Sequence, residues 1–137
     1  MPTLSLYFIR ASLVCFMAGV TIGALLLADK GMPGVSPVWP YRSAHIELSV
    51  LGWVVQLVMG TAYWILPRHP EGSPRGNRHV AWLSFYLLNA GIVFGVAALW
   101  FPVYPSADAF FRFFQLAGIA CFAYVIWPRV LTFRKES

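Results

Sequence analysis

A chain of 137 residues supports one domain and leaves no room for a second independent core. Hydrophobic residues make up 59% of it and charged residues 11%, too little polar surface to cover a soluble fold. Disordered, collagen-like and disulfide-scaffold classes are excluded on the same ground, which leaves an integral membrane protein. The formal charge of +5 sits at the ends of apolar runs and forms no patch or repeat, so nucleic acid is not an expected partner. Cys15 and Cys121 lie inside apolar runs, where they read as small buried side chains and not as a zinc site or exported disulfide.

Four apolar stretches follow in order, over residues 4–27, 44–66, 80–101 and 107–127. Each is near the ~20 residues that cross ~30 Å of hydrocarbon as a helix. Backbone groups in lipid must be satisfied internally, so the expected fold is an all-α bundle of four transmembrane helices in one domain, residues 1–137. The first stretch is long for a signal sequence, and no small-residue cleavage site precedes Asp29, so it reads as a true span. Gly31, Pro33, Gly34, Pro37 and Pro40 punctuate the first connection. Pro67, Pro70, Gly72, Pro74 and Gly76 punctuate the second, and Pro102 and Pro105 the third.

Orientation follows from the basic residues. Arg68, Arg75 and Arg78 on the second connection, with Arg129, Arg134 and Lys135 in the tail, outnumber Lys30, Arg42 and Arg112 on the opposite side. That excess predicts both termini in the cytoplasm. Arg10 reads as a snorkelling residue at the cytoplasmic end of the first span. Gly19 and Gly23 form one GxxxG pair and Gly91 and Gly95 another, which predicts close helix packing within the chain or against a second copy.

The second span carries the candidate chemistry. Steps of three and four from His45 reach Ser49, Gly52, Gln56, Met59 or Gly60, and Tyr63 on one helical face. A lipid-facing stripe does not need Ser, Gly and Gln, so this face is expected to look inward, toward protein or a flat ligand lying on glycine. A neutral His45 can ligate haem iron, with Gly52 two turns on leaving space for a macrocycle. Arg42, one turn earlier, can pair a propionate. The same spacing also fits an interfacial histidine bonded to a neighbour, with Arg42 at the headgroups.

Arg42-x-x-His45, the small-residue span and the ending Tyr63-Trp64-Ile65-Leu66-Pro67-Arg68 resemble the second helix of haem–copper oxidase catalytic subunits. The cbb-type oxidases and nitric oxide reductase large subunits are nearest, and the resemblance covers about residues 4–68. It implies that His45 is an axial ligand of a b-type haem and that Arg42 lies near its propionates. The chain departs from that family in having four spans and only His45, His69 and His79. It therefore lacks the histidines of a copper site, and oxygen reduction by this chain alone is not expected.

His69 and His79 flank the second connection, about one span's length from His45. They read as a loop residue and a headgroup-level residue. A haem on His45 has three options for its sixth position: an open site for nitric oxide, carbon monoxide or oxygen, Met32, or His45 of a second copy. Glu47, some 200° round the helix from His45, is expected at the outer interface or paired with Lys30 or Arg112. Gln56, Asn89 and Gln115 are expected to bond between helices. Trp39, Trp64, Trp82, Trp100 and Trp127 fit interfacial belts, while Trp53 is deep enough to line a cofactor pocket.

The expectation is thus a small b-type haem protein of a bacterial or archaeal plasma membrane, for electron transfer or diatomic-gas binding. Its candidate residues are His45, Arg42, Ser49, Gly52 and Gln56, and its expected partners are lipid, haem, and a second copy or larger respiratory complex. A cofactor-free scaffold or accessory subunit is the alternative.

Overall fold

The computed structural model describes residues 1–32, 38–66, 75–100 and 105–136, and the side chains of these apart from 38–40, 105–107 and 132–136. Pro33, Gly34, Pro37, Pro67, Arg68, His69, Pro70, Gly72, Pro74 and Pro102 lie outside the described residues, as do the side chains of Trp39, Pro40, Pro105, Arg134 and Lys135. The described chain is all helical. Helix α1 spans Thr3–Gly31, α2 Val38–Glu47, α3 Gln56–Ile65, α4 Arg78–Ala98 and α5 Pro105–Glu136. A π-helical segment, Leu48–Val55, joins α2 to α3, so the three form one continuous second span. Four helical stretches are long and apolar enough to cross a membrane.

The two largest boundary differences from the sequence reading both fall at proline. The second span begins at Val38, not near residue 44, because Pro40 falls in the first turn, where a missing N–H breaks no helical bond. Helix α5 runs through Pro128 to Glu136 instead of ending at Trp127. A proline there removes one backbone bond to the preceding turn and still leaves the helix continuous.

The bundle is built from two intimate pairs, α1 along the second span and α4 along α5, joined by contacts of α4 with the π segment, α2 and α1. Glycine sets both close approaches. A Cβ on Gly19 would stand 3.0 Å from Ser49 Oγ, and one on Gly60 would stand 2.8 Å from Phe8 Cβ. In the other pair, a Cβ on Gly91 would stand 2.6 Å from Gln115 Cγ, and one on Gly118 would stand 2.8 Å from the Leu88 backbone nitrogen. The predicted GxxxG pairs therefore meet neighbouring helices of the same chain.

The buried apolar residues Leu4, Phe8, Met59, Tyr63, Ala81, Leu88, Ile92, Phe122 and Val125 belong to one core cluster. Phe8 stands edge-on to Phe85 and Phe122, with centroids 5.1 and 6.0 Å away. Large apolar side chains such as Val14, Val58, Phe113, Leu116 and Tyr124 point outward. That inversion of a soluble surface fits a lipid surround.

Candidate haem-ligand site at His45

His45 lies in the last turn of α2, the continuous second span's first helix, three residues before the π segment begins. Its ring turns toward α1. Nδ1 lies 2.8 Å from the carbonyl oxygen of Gly19. A carbonyl only accepts, so Nδ1 carries the proton, and in the neutral ring Nε2 holds the lone pair. The ring packs on Gly23, where a Cβ would stand 2.8 Å from Cε1 and 3.0 Å from Nδ1. Gly19 supplies the acceptor and Gly23 the space, so the GxxxG pair of α1 doubles as the seat of the imidazole. The fixed tautomer is the one a metal-ligating histidine presents, with the other nitrogen anchored by a backbone acceptor.

The remaining predicted residues separate into two groups. Arg42, one turn before His45, is exposed on α2. Ser49 faces Gly19, and Gly52 faces Cys15, where a Cβ on the glycine would meet the Cys15 Cβ at 2.7 Å and Sγ at 2.9 Å. The space that a macrocycle on Gly52 would need is filled by Cys15. A haem bedded between Gly52 and α1 does not fit, because that face is the packing seam of the two helices. The single nitrogen fits an axial role; the bed read from the small-residue stripe does not fit a tetrapyrrole.

Gln56 is 0% exposed, and neither its Oε1 nor its Nε2 has a hydrogen-bond partner. It does not bond between helices as expected. Asn89 also departs from expectation, donating to Phe85 O of its own helix at 2.8 Å. Gln115 does bridge helices, donating to Glu47 Oε1. Trp53 packs on Phe16 of α1 with ring centroids 4.2 Å apart, which makes it part of the same seam.

Glu47 turns away from the imidazole, toward α5. It is buried, accepts from Arg112 and Gln115, and Arg112 also lies 3.6 Å from Asp108. Of the two expected cations, Arg112 and not Lys30 is the observed partner. Gly95 borders this cluster, where a Cβ would stand in ordinary contact, 3.6 Å from both Glu47 Oε1 and Gln115 Nε2. The carboxylate is fully engaged in tying α2 to α5.

Met32 caps the far end of α1 and is exposed, roughly two and a half turns beyond the Gly23 that seats the imidazole. His79 is exposed at the start of α4, where its backbone N–H donates to Asn77 Oδ1 at 3.0 Å. Among the described residues, no three His, Cys, Asp or Glu side chains form a group able to hold a metal ion.

One residue escaped the sequence reading. Arg129, counted there as a cytoplasmic surface charge, is only 1% exposed. It donates from Nη1 to Tyr63 O at 3.2 Å and from Nη2 to Leu66 O, with its guanidinium 5.4 Å from the centre of the Tyr63 ring. It thus satisfies carbonyls that the end of α3 leaves without helical donors, at the negative end of the helix dipole.

No protein-family model, no curated protein and no solved structure matches this chain.

Proposed function

We propose that this chain is a small multi-pass membrane haem protein, with His45 Nε2 as axial ligand of a b-type haem that serves electron transfer or diatomic-gas binding. The observation that carries this reading is the Nδ1–H bond to Gly19 O, which leaves the lone pair on Nε2. The likeness of residues 4–68 to haem–copper oxidase subunits supports it. Arg42, exposed one turn away, is the propionate partner in this reading.

Because Cys15 fills the space over Gly52, the macrocycle belongs outside the α1–second-span seam. Haem, when bound, supplies one-electron redox chemistry and a coordination position for a small ligand. The chain's own part is narrower: Gly19 holds the Nδ1 proton, Gly23 sets the ring's position, and the apolar helices keep water away. In this reading both termini are cytoplasmic, as the excess of basic residues on that side supports, and the membrane is a bacterial or archaeal plasma membrane. A bound haem would then serve a diatomic gas, or electron transfer with a second copy or a larger respiratory complex.

A second reading, a cofactor-free scaffold or accessory subunit, is favoured by the same seam. Gly23 under His45 and Gly52 under Cys15 are what two packed helices need without any ligand. An optical spectrum of the detergent-purified chain from haem-replete cells separates the two. The haem reading expects a Soret band that disappears in His45→Ala while helix content and size are kept. Colourless wild-type protein, or full haem content in His45→Ala, overturns it.

A further inference from the structure

About 30 Å along α1 from the imidazole, at the opposite end of the bundle, a cavity of about 300 Å3 is lined by Pro2, Thr3, Tyr63, Arg75, Arg78 and Trp82, among others. That is far more than the ~10–15 Å3 of such space that one water needs. Two of its walls are cationic, and among the described residues that line it none is a carboxylate. Arg75 Nε is buried and has no hydrogen-bond partner among the described residues. A buried, charged donor left unmade is costly, so this atom calls for an acceptor.

A third wall is the start of α1. Pro2 caps that helix without a side-chain bond, and the first turn holds no acidic residue. The helical ladder opens with Leu6 N–H to Pro2 O, so the N–H groups of Thr3, Leu4 and Ser5 precede it. Helix-end donors of this kind favour an anion. Trp82 and Tyr63 give the cavity an aromatic side next to its charged one, matching a group with a charged head and an apolar body.

We propose that this cavity binds a phosphate-bearing anion, either the headgroup of an anionic phospholipid or free phosphate, with Arg75 and Arg78 as its cationic contacts. Arginine suits the task because its planar donors match phosphate oxygens. The site is independent of His45 and stands whether or not the chain carries haem.

The test uses the full chain reconstituted in phosphatidylcholine vesicles doped with brominated phosphatidylglycerol. Quenching attributable to Trp82 is the difference between wild type and Trp82→Phe. Wild type should be quenched at low doping, and the Arg75→Gln/Arg78→Gln variant, which loses both cationic contacts, should need at least roughly tenfold more brominated lipid. Loss of the wild-type quench on adding inorganic phosphate at constant ionic strength assigns the site to the free anion; a persistent quench assigns it to the lipid. Circular dichroism establishes that the variant is folded, and Arg75→Gln alone serves if the double variant is not. Equal quenching of wild type and the folded variant, or equal quenching by brominated phosphatidylcholine, overturns the proposal.

Discussion

At one end of the second span, Arg129 reaches in from α5 and donates to the carbonyls of Tyr63 and Leu66; at the other, His45 donates to Gly19 from one nitrogen and keeps a second in hand. Both side chains are polar groups drawn into a mostly apolar bundle, and both are tied to backbone oxygen. They differ in what is left over. The guanidinium is 1% exposed and aimed at a helix end, a role that ends with the bonds it makes. The imidazole is half-buried and retains a basic lone pair. A polar group whose bonding serves a neighbour is architecture, whereas one with an anchored side and an unused side can hold something else.

Variants at the two ends should break this contrast in opposite ways. Arg112→Ala should cost most, about 3–5 kcal/mol in denaturant unfolding from micelles, because it removes the charge that balances the buried Glu47 carboxylate and leaves it only the neutral Gln115 donor among the described residues. Adding Glu47→Gln should recover part of that loss; no recovery would mean that the pair does not hold α2 to α5. Arg129→Met should cost about 3 kcal/mol, the value of a charged group's bonds to backbone, and leave any optical spectrum unmoved. A spectral change there would remove the distinction between the two ends. Gly23→Ala should cost about 1–3 kcal/mol, since a Cβ at 2.8 Å from the imidazole forces the ring or α1 to shift. In the haem reading it should also displace the Soret band, whereas Gly60→Ala, against Phe8 in the same seam, should destabilise without that displacement.

The four spans were legible because the requirement of a bilayer acts on every residue of a stretch at once, and no local exception hides it. The glycine pairs were legible as packing faces for the same reason: a missing side chain has an effect wherever another helix comes near. Pairing was harder. Arg112 and Lys30 were equal candidates for Glu47 until the fold brought α5 beside α2. The inward stripe from His45 through Ser49 and Gly52 was read correctly as facing inward, but what it faced depended on the register of α1. One residue, Cys15, decides that no flat ligand lies on Gly52. Arg129 was misread because a cation near a span's end ordinarily marks the headgroups, and only the position of α3's last turn shows that it points in. The π-helical stretch after Glu47 carries no compositional mark at all; such segments form where neighbouring packing, not local preference, sets the turn.

The exterior of the bundle has a consequence for any companion in the bilayer. With Gly19, Gly23, Gly91 and Gly95 spent on internal contacts, what remains facing the acyl chains is bulky: Val14, Val58, Phe113, Leu116 and Tyr124. A second molecule docking there has to displace lipid tails that are as apolar as the side chains they cover, so only shape fit distinguishes protein from solvent. Association through this surface is then a contest of concentrations, tightening as the detergent or lipid is thinned and loosening as it is supplied.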